Sequence, residues 1–227
     1  MLLTRAFLNP KSREVLQDIR DPESLHKRLM RAFPSELGPS PRQSLALLHR
    51  LERDGQEGRC VLLIQSAVEP ELMHLPEDYL ATLEVDAFFS DAPQNPATRK
   101  IDRLLESITG GQAYAFRLRA NPTRKIDTKT REDSRRRHGR RVPCRGDEER
   151  LRWLRRKASS SGFDFAEDAV RTEEEPVLAS SSGKTFAGVR FDGLLRVTDA
   201  EQLRKSVVAG IGPAKAYGFG LLSLRPV

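Results

Sequence analysis

Apolar residues recur along this chain at strand spacing and then at helix spacing, and the cycle runs twice. Leu2 to Leu8 is a short apolar run interrupted by Thr4 and Arg5 and closed by Asn9-Pro10, which predicts a strand and a turn. Asp21 is placed to cap a helix whose first residue is Pro22, with Leu25, Leu29, Ala32 and Phe33 on one face and Pro34 as its stop. Residues 44–53 and 59–67 read as two strands around a polar turn at Asp54-Gly55 and Gly58, the first also compatible with a helix. Leu75 to Thr82 has a helical pattern and Leu83 to Phe89 a strand pattern, so the order of this half is βαββαβ.

Asn95-Pro96 to Ile108 is amphipathic, ends at Gly110-Gly111 and reads as a connector. The second cycle opens with a strand from Tyr114 to Ala120. A helix capped by Asp147 then runs through Lys157, and a strand follows from Phe163 to Val170. Lys184 to Val197 alternates, with Val189, Phe191, Leu195 and Val197 against Arg190, Asp192 and Arg196. Thr198 and Glu201 have the spacing of a capping box for a helix carrying Leu203 and Val207, and a last strand runs from Tyr217 to Leu224. The fold class predicted is α+β, two tandem ferredoxin-like (RRM-like) βαββαβ domains: residues 1–91, a connector over 92–112, and 113–227.

Between the last helix and the last strand lies GIGPAKAYGFG, with Gly210, Gly212, Gly218 and Gly220 around Pro213 and Lys215. Glycines that reach φ > 0 beside a lysine can converge backbone N–H groups on a phosphate. The same spelling also suits a helix C-cap followed by a tight turn with close backbone packing. It is not a Walker loop, since a helix precedes it and a strand follows.

Charge narrows the class of partner. The 227 residues carry 39 Lys and Arg against 32 Asp and Glu, a net charge of +7. From Arg117 to Lys157 the balance is 17 basic to 6 acidic, while the other 186 residues sum to −4. A basic patch on an otherwise slightly acidic protein suits a polyphosphate, whose counterions are released on binding; a solvated basic loop is the alternative. Thr128 to Arg141 has no apolar period and is predicted as a loop that contact with phosphates would order.

Cys60 and Cys144 form no C-x-x-C pair and are expected as reduced thiols. The sequence shows no signal-peptide pattern and no apolar run of membrane length, so a cytoplasmic protein with no membrane partner is expected. His26, His49, His74 and His138 have no metal-ligand spacing, so neither a metal nor a cofactor is predicted. His26 lies about 100° from Leu25 at helical pitch, beside the apolar stripe, where it serves either as a packing residue or as a group facing a cleft.

The C-terminal spelling GIGPAKAYGFGLLSL resembles the end of the CasE family, the CRISPR RNA-processing endoribonucleases of the type I-E Cascade complex. LLTRAFLNP at the start, DPESLHKRL around His26, FRLRANPTRK at 116–125 and RVPCRG at 141–146 carry the same resemblance, which therefore spans both halves. It implies tandem ferredoxin-like domains and a metal-independent cut at the 3′ base of a CRISPR repeat stem-loop. Attack by a 2′-hydroxyl would leave a 2′,3′-cyclic phosphate. The partners implied are the precursor RNA, the mature crRNA hairpin and the Cascade subunits.

The resemblance also implies site residues. His26 matches the family's acid-base histidine, and Arg31 matches a basic position that can offset phosphate charge. Glu23 stands where relatives commonly have tyrosine, so it either orients His26 or caps the helix. Arg117, Arg119, Arg124, Lys125, Arg140, Arg141, Arg150, Arg152, Arg155, Arg156, Lys184 and Lys215 are the RNA-binding candidates, with internal salt bridges as the competing use of the helical arginines. The second reading is a non-catalytic hairpin-binding subunit, for which the Glu23 departure argues.

Overall fold

A computed structural model describes residues 1–34, 40–53, 60–82, 94–126 and 140–227. The N-terminal half runs β1 (Leu2–Leu8), α1 (Arg13–Arg20), α2 (Pro22–Met30), α3 (Pro41–Ser44), β2 (Leu48–Arg53), β3 (Cys60–Ser66), β4 (Ala97–Lys100) and α4 (Asp102–Ser107). Its sheet is antiparallel in the order β2-β3-β1-β4, the ferredoxin-like arrangement in which the first strand lies inside. Ala6, Leu8, Leu62 and Ile64 of this sheet pack with Val15, Leu25 and Leu29 of the helices. The period-2 and period-3.6 patterns thus close on one core.

The C-terminal half runs β5 (Ala113–Ala120), β6 (Thr123–Ile126), β7 (Arg140–Pro143), α5 (Gly146–Ser159), β8 (Phe163–Asp164), β9 (Val170–Glu174), β10 (Leu178–Ala179), β11 (Thr185–Phe186), β12 (Val189–Val197), α6 (Ala200–Ala209) and β13 (Leu222–Pro226). Its sheet has the order β13-β5-β12-β8, with β9 also on β12, so the second strand of the unit is divided in two. Phe116, Leu118, Phe191 and Leu195 of the sheet meet Trp153, Leu154, Leu203 and Val207 of α5 and α6. The fold is the tandem ferredoxin-like α+β arrangement.

Several local expectations are corrected. Residues 75–82 are not a helix: a short 3-10 turn at Leu72–His74 leads to a bridge between Leu80 and Leu8. The segment read as a connector supplies β4, which pairs with β1 from Leu2↔Lys100 to Arg5↔Ala97. The expected strand at 83–89, the turn at 54–58 and all but the last two residues of the 128–141 loop lie outside the described residues. Asp147 does not cap α5; it sits in the first turn and accepts from Thr172 Oγ1 at 2.7 Å. Asp199, not Thr198, caps α6, through Gln202 N at 2.9 Å, because an Asx side chain one residue later has the same reach.

The halves meet where β2 and β3 face β5, β13 and α6. Arg50 of β2 donates to the carbonyls of Leu221 (3.1 Å) and Arg117 (3.3 Å) and to Ser223 Oγ (2.9 Å), while its Nε pairs with Glu52 at 2.8 Å. Gln65 Nε2 donates to Val207 O at the end of α6 (3.0 Å). A buried guanidinium with this many acceptors fixes register between two sheets, since displacing either would orphan several donors.

Candidate active site between the two halves

Asp21 caps α2 as expected, accepting from Glu23 N at 2.9 Å with Pro22 at the first helical position. The helix buries Leu25 and Leu29 and leaves His26 half-buried at its edge. The turn at Lys215–Tyr217 of the glycine loop packs against both α2 and β2. This brings the Tyr217 ring to 6.4 Å from the His26 ring, tilted by 59°. A cavity of 340 Å³ lies on the far side of Tyr217, with Leu25, His49, Arg119, Glu175, Tyr217 and Gly218 among its walls; His26 is not among its lining residues.

His26 Nδ1 is buried without a hydrogen-bond partner, so Nε2 is the nitrogen a substrate can reach. Burial lowers the His26 pKa, Arg42 lowers it further, and Glu23 acts the other way. His49 is fully buried behind it. Desolvation first, then His26, Arg119 and Arg42, push the His49 pKa down to about 3, and its Nε2 has no partner. Lys215 is depressed by burial, then by Arg42 and Lys157. Arg42 therefore acts on both histidines and on Lys215, so two neutral imidazoles lie within reach of a fixed cation.

Glu23 does not orient His26 by a hydrogen bond. It accepts from Ser182 Oγ and pairs with Lys27 at 3.1 Å, and these bonds hold its carboxyl down to about 2. Arg31 is the exposed C-cap of α2. Five residues past His26, it is rotated roughly 140° away, so the helix does not bring the two onto one face.

All four loop glycines have positive φ, from 77° at Gly210 to 91° at Gly220. A Cβ on Gly210 would stand 2.7 Å from Leu48, and one on Gly218 would stand 3.3 Å from His49 Nε2. The loop is packed backbone that sets Tyr217 against α2. Pattern reasoning passed over Arg42, His49 and Tyr217. Only Tyr217 carried a signal, by lying within the glycine motif.

The basic candidates divide into two groups. Arg119 pairs with Glu175 (2.6 Å) beneath Phe219, Arg117 with Asp192 (2.5 Å) and Glu52 (3.3 Å), and the buried Arg150 with Glu174 (2.7 Å). These three are engaged in ion pairs within the chain. Lys125, Arg140 and Arg141 are exposed on the β6–β7 hairpin, where Lys125 and Arg141 lie directly opposite, and Arg124 bonds Glu149 at 3.2 Å. Like charges on opposed positions destabilise a hairpin unless an anion lies between them. On α5, Arg156 is exposed, while Arg152 pairs with Glu148 (2.5 Å) and Arg155 with Glu167 (3.0 Å). Lys184 donates to Tyr217 Oη at 2.7 Å. His74 is exposed and bonded to Glu71, away from the site, and His138 lies outside the described residues.

A family model described as CRISPR associated protein matches residues 1–226. The chain belongs to this family. Among similar members, the CRISPR-associated endoribonuclease Cse3 of Thermus thermophilus is 30% identical over 239 residues, covering 100% of both chains. The CRISPR system Cascade subunit CasE of Escherichia coli is 34% identical over 212 residues, covering 92% of this chain and 94% of that one. The structure of Thermus thermophilus Cse3 bound to an RNA representing a pre-cleavage complex superposes with a TM-score of 0.76 at 28% identity, over 99% of this chain and 98% of the other.

Proposed function

We propose that this protein is an endoribonuclease that binds the stem-loop of CRISPR repeat RNA, cuts the precursor at the 3′ base of the stem and keeps the product within a Cascade-type complex in the cytoplasm. Its similarity to Cse3 and CasE supports the reaction class and the assembly. The observation that carries the site assignment is the packing of the Lys215–Tyr217 turn against α2, which sets the Tyr217 ring 6.4 Å from that of His26. The 2′-hydroxyl attacks the adjacent phosphorus in line. His26, neutral because burial lowers its pKa, takes the hydroxyl proton at Nε2, and Arg42 and Lys215 offset charge on the phosphorane.

We take the cut to be metal-independent, which excess chelator tests directly; among the described residues no three His, Cys, Asp or Glu side chains converge on one point. Among those residues, too, no helix is long and apolar enough to cross a membrane. The exposed cations of the β6–β7 hairpin and α5 are the surface for the RNA backbone, whose duplex stem is read through shape and phosphates.

Purified protein with end-labelled repeat RNA from the same genome, in excess chelator, tests the whole reading. Cleavage is expected to leave a cyclic phosphate, to fail on RNA with 2′-deoxyribose at the cut, and to fall by about 10² to 10⁴ in His26→Ala without loss of RNA affinity. Binding without cleavage would leave a hairpin-capping subunit. Cleavage of the deoxy substrate, or loss in chelator with recovery in magnesium, would remove the chemistry.

A further inference from the structure

Proton transfer in this reaction has two ends, and His26 accounts for one. The glycine loop holds a second group beside it. The turn at Lys215–Tyr217 is framed by two residues in the left-handed region, Ala214 (φ 63°) and Gly218 (φ 82°). An alanine there is strained, and such strain persists only where the surroundings over-determine it. Its result is the placement of Tyr217, whose ring rests against Phe186 at 4.6 Å and faces His26 at 6.4 Å.

The Tyr217 hydroxyl is already oriented. Lys184 Nζ lies 2.7 Å from Oη, and an ammonium can only donate, so Oη is the acceptor and the phenolic proton points elsewhere. Lys184 also interacts with Glu23, itself bonded to Ser182 of the same β10–β11 hairpin. Three segments distant in sequence thus bring an imidazole and an ammonium to either side of one phenol.

We propose that Tyr217 is the general acid of the cleavage step, with Lys184 stabilising the phenolate it becomes. The assignment rests on His26 being the base. As the bond from the 2′-oxygen to phosphorus forms, the 2′-hydroxyl proton passes to His26 Nε2. As the bond from phosphorus to the 5′-oxygen breaks, the phenolic proton passes to that oxygen, which departs as a 5′-hydroxyl. Imidazolium and phenolate remain, and proton exchange with solvent restores both. The step needs no oxidant, reductant or metal.

The test is single-turnover cleavage of two repeat RNAs, one with the natural 5′-oxygen at the cut and one with a bridging 5′-sulfur, which departs as a thiolate without being protonated. Tyr217→Phe keeps the ring against Phe186 and removes only the hydroxyl. It is expected to slow the oxygen substrate about 10²-fold and to cut the sulfur substrate at the wild-type rate, with RNA affinity unchanged. Lys184→Met should show the same rescue from a smaller loss, and His26→Ala should stay slow on both. Equal slowing of both substrates in Tyr217→Phe would make the residue structural, and full activity on oxygen would make it idle. Either result overturns the assignment while leaving His26 in place. Wild-type-like cleavage by His26→Ala, or no cleavage by wild type, would remove the base, and the acid with it.

Discussion

Glu23, in the first turn of the helix that carries His26, accepts a hydrogen bond from Ser182, 159 positions further along the chain. Beside it the Ser181 N–H donates to Asp21 Oδ1 at 3.3 Å. Two bonds between short adjacent segments tie the N-terminus of α2 to the β10–β11 hairpin, whose Lys184 in turn holds Tyr217. The orientation of the site thus depends on a contact between the halves.

That contact should be visible in acid. The Glu23 pKa falls from 4.5 to about 2, first because Ser182 and then because Lys27 favours the charged carboxylate. A depressed folded pKa contributes stability that is fully present above 4.5 and lost as pH falls towards about 2. The melting-temperature gap between wild type and Glu23→Gln should therefore be widest above that window and close within it. A gap that stays constant down to roughly pH 2 would mean the charge has no part in the bond.

His49 gives a second pH signature of the opposite residue type. Its folded pKa is about 3 against an ordinary 6.5, so between those values the unfolded chain binds a proton that the folded one refuses. Stability then falls as pH drops from 6.5 to about 3, by about 1.4 kcal/mol per unit at most. Urea unfolding of wild type and His49→Gln across this range should differ in slope by about one proton. Parallel slopes would show that His49 is solvated in the folded state.

His49 also marks where sequence reading ends. Its strand was legible from apolar neighbours, but those same neighbours made it look like core, and nothing local reveals that α2 and Gly218 close over it. The capped helix α2 and the alternation of β12 were readable because their signals lie within one element. Strand β4 was not, since ATRK has no apolar alternation and its pairing to β1 is made by residues nearly a hundred positions away. Arg119 and Lys125 look equivalent in FRLRANPTRK, yet one is committed to Glu175 and the other is exposed; only tertiary placement of the carboxylate separates them.

The difference between those two cations is itself measurable. Replacing Lys125, Arg140 and Arg141 by Glu should weaken RNA binding and flatten the slope of log affinity against log salt, because fewer counterions are released. The loss should be similar for stems of different sequence. Arg119→Met should instead cost about 2 kcal/mol of folding stability, by leaving Glu175 without its charged donor. An unchanged salt slope in the triple variant would show the hairpin to be a bystander.

The glycine loop admits one decisive substitution. Gly220 sits at φ 91°, and a Cβ there would lie 2.8 Å from Ile211 O, a backbone atom that cannot swing aside. Its own carbonyl accepts from Ile211 N at 2.8 Å and its N–H donates to Arg119 O at 2.7 Å, so the loop is cinched at this residue. Left-handed strain costs about 1–2 kcal/mol for a residue with a Cβ, before any clash. Gly220→Ala should therefore lose about 2 kcal/mol or more, or roughly 4–8 °C in a chain of this size. Gly110→Ala, with open space around its Cβ, should stay within about 0.5 kcal/mol. Thermal melts of the two variants distinguish the competing uses of a glycine-rich loop. If Gly220 exists for the close approach of an RNA phosphate rather than of Ile211, the melting temperature will hold in Gly220→Ala and only RNA affinity will fall.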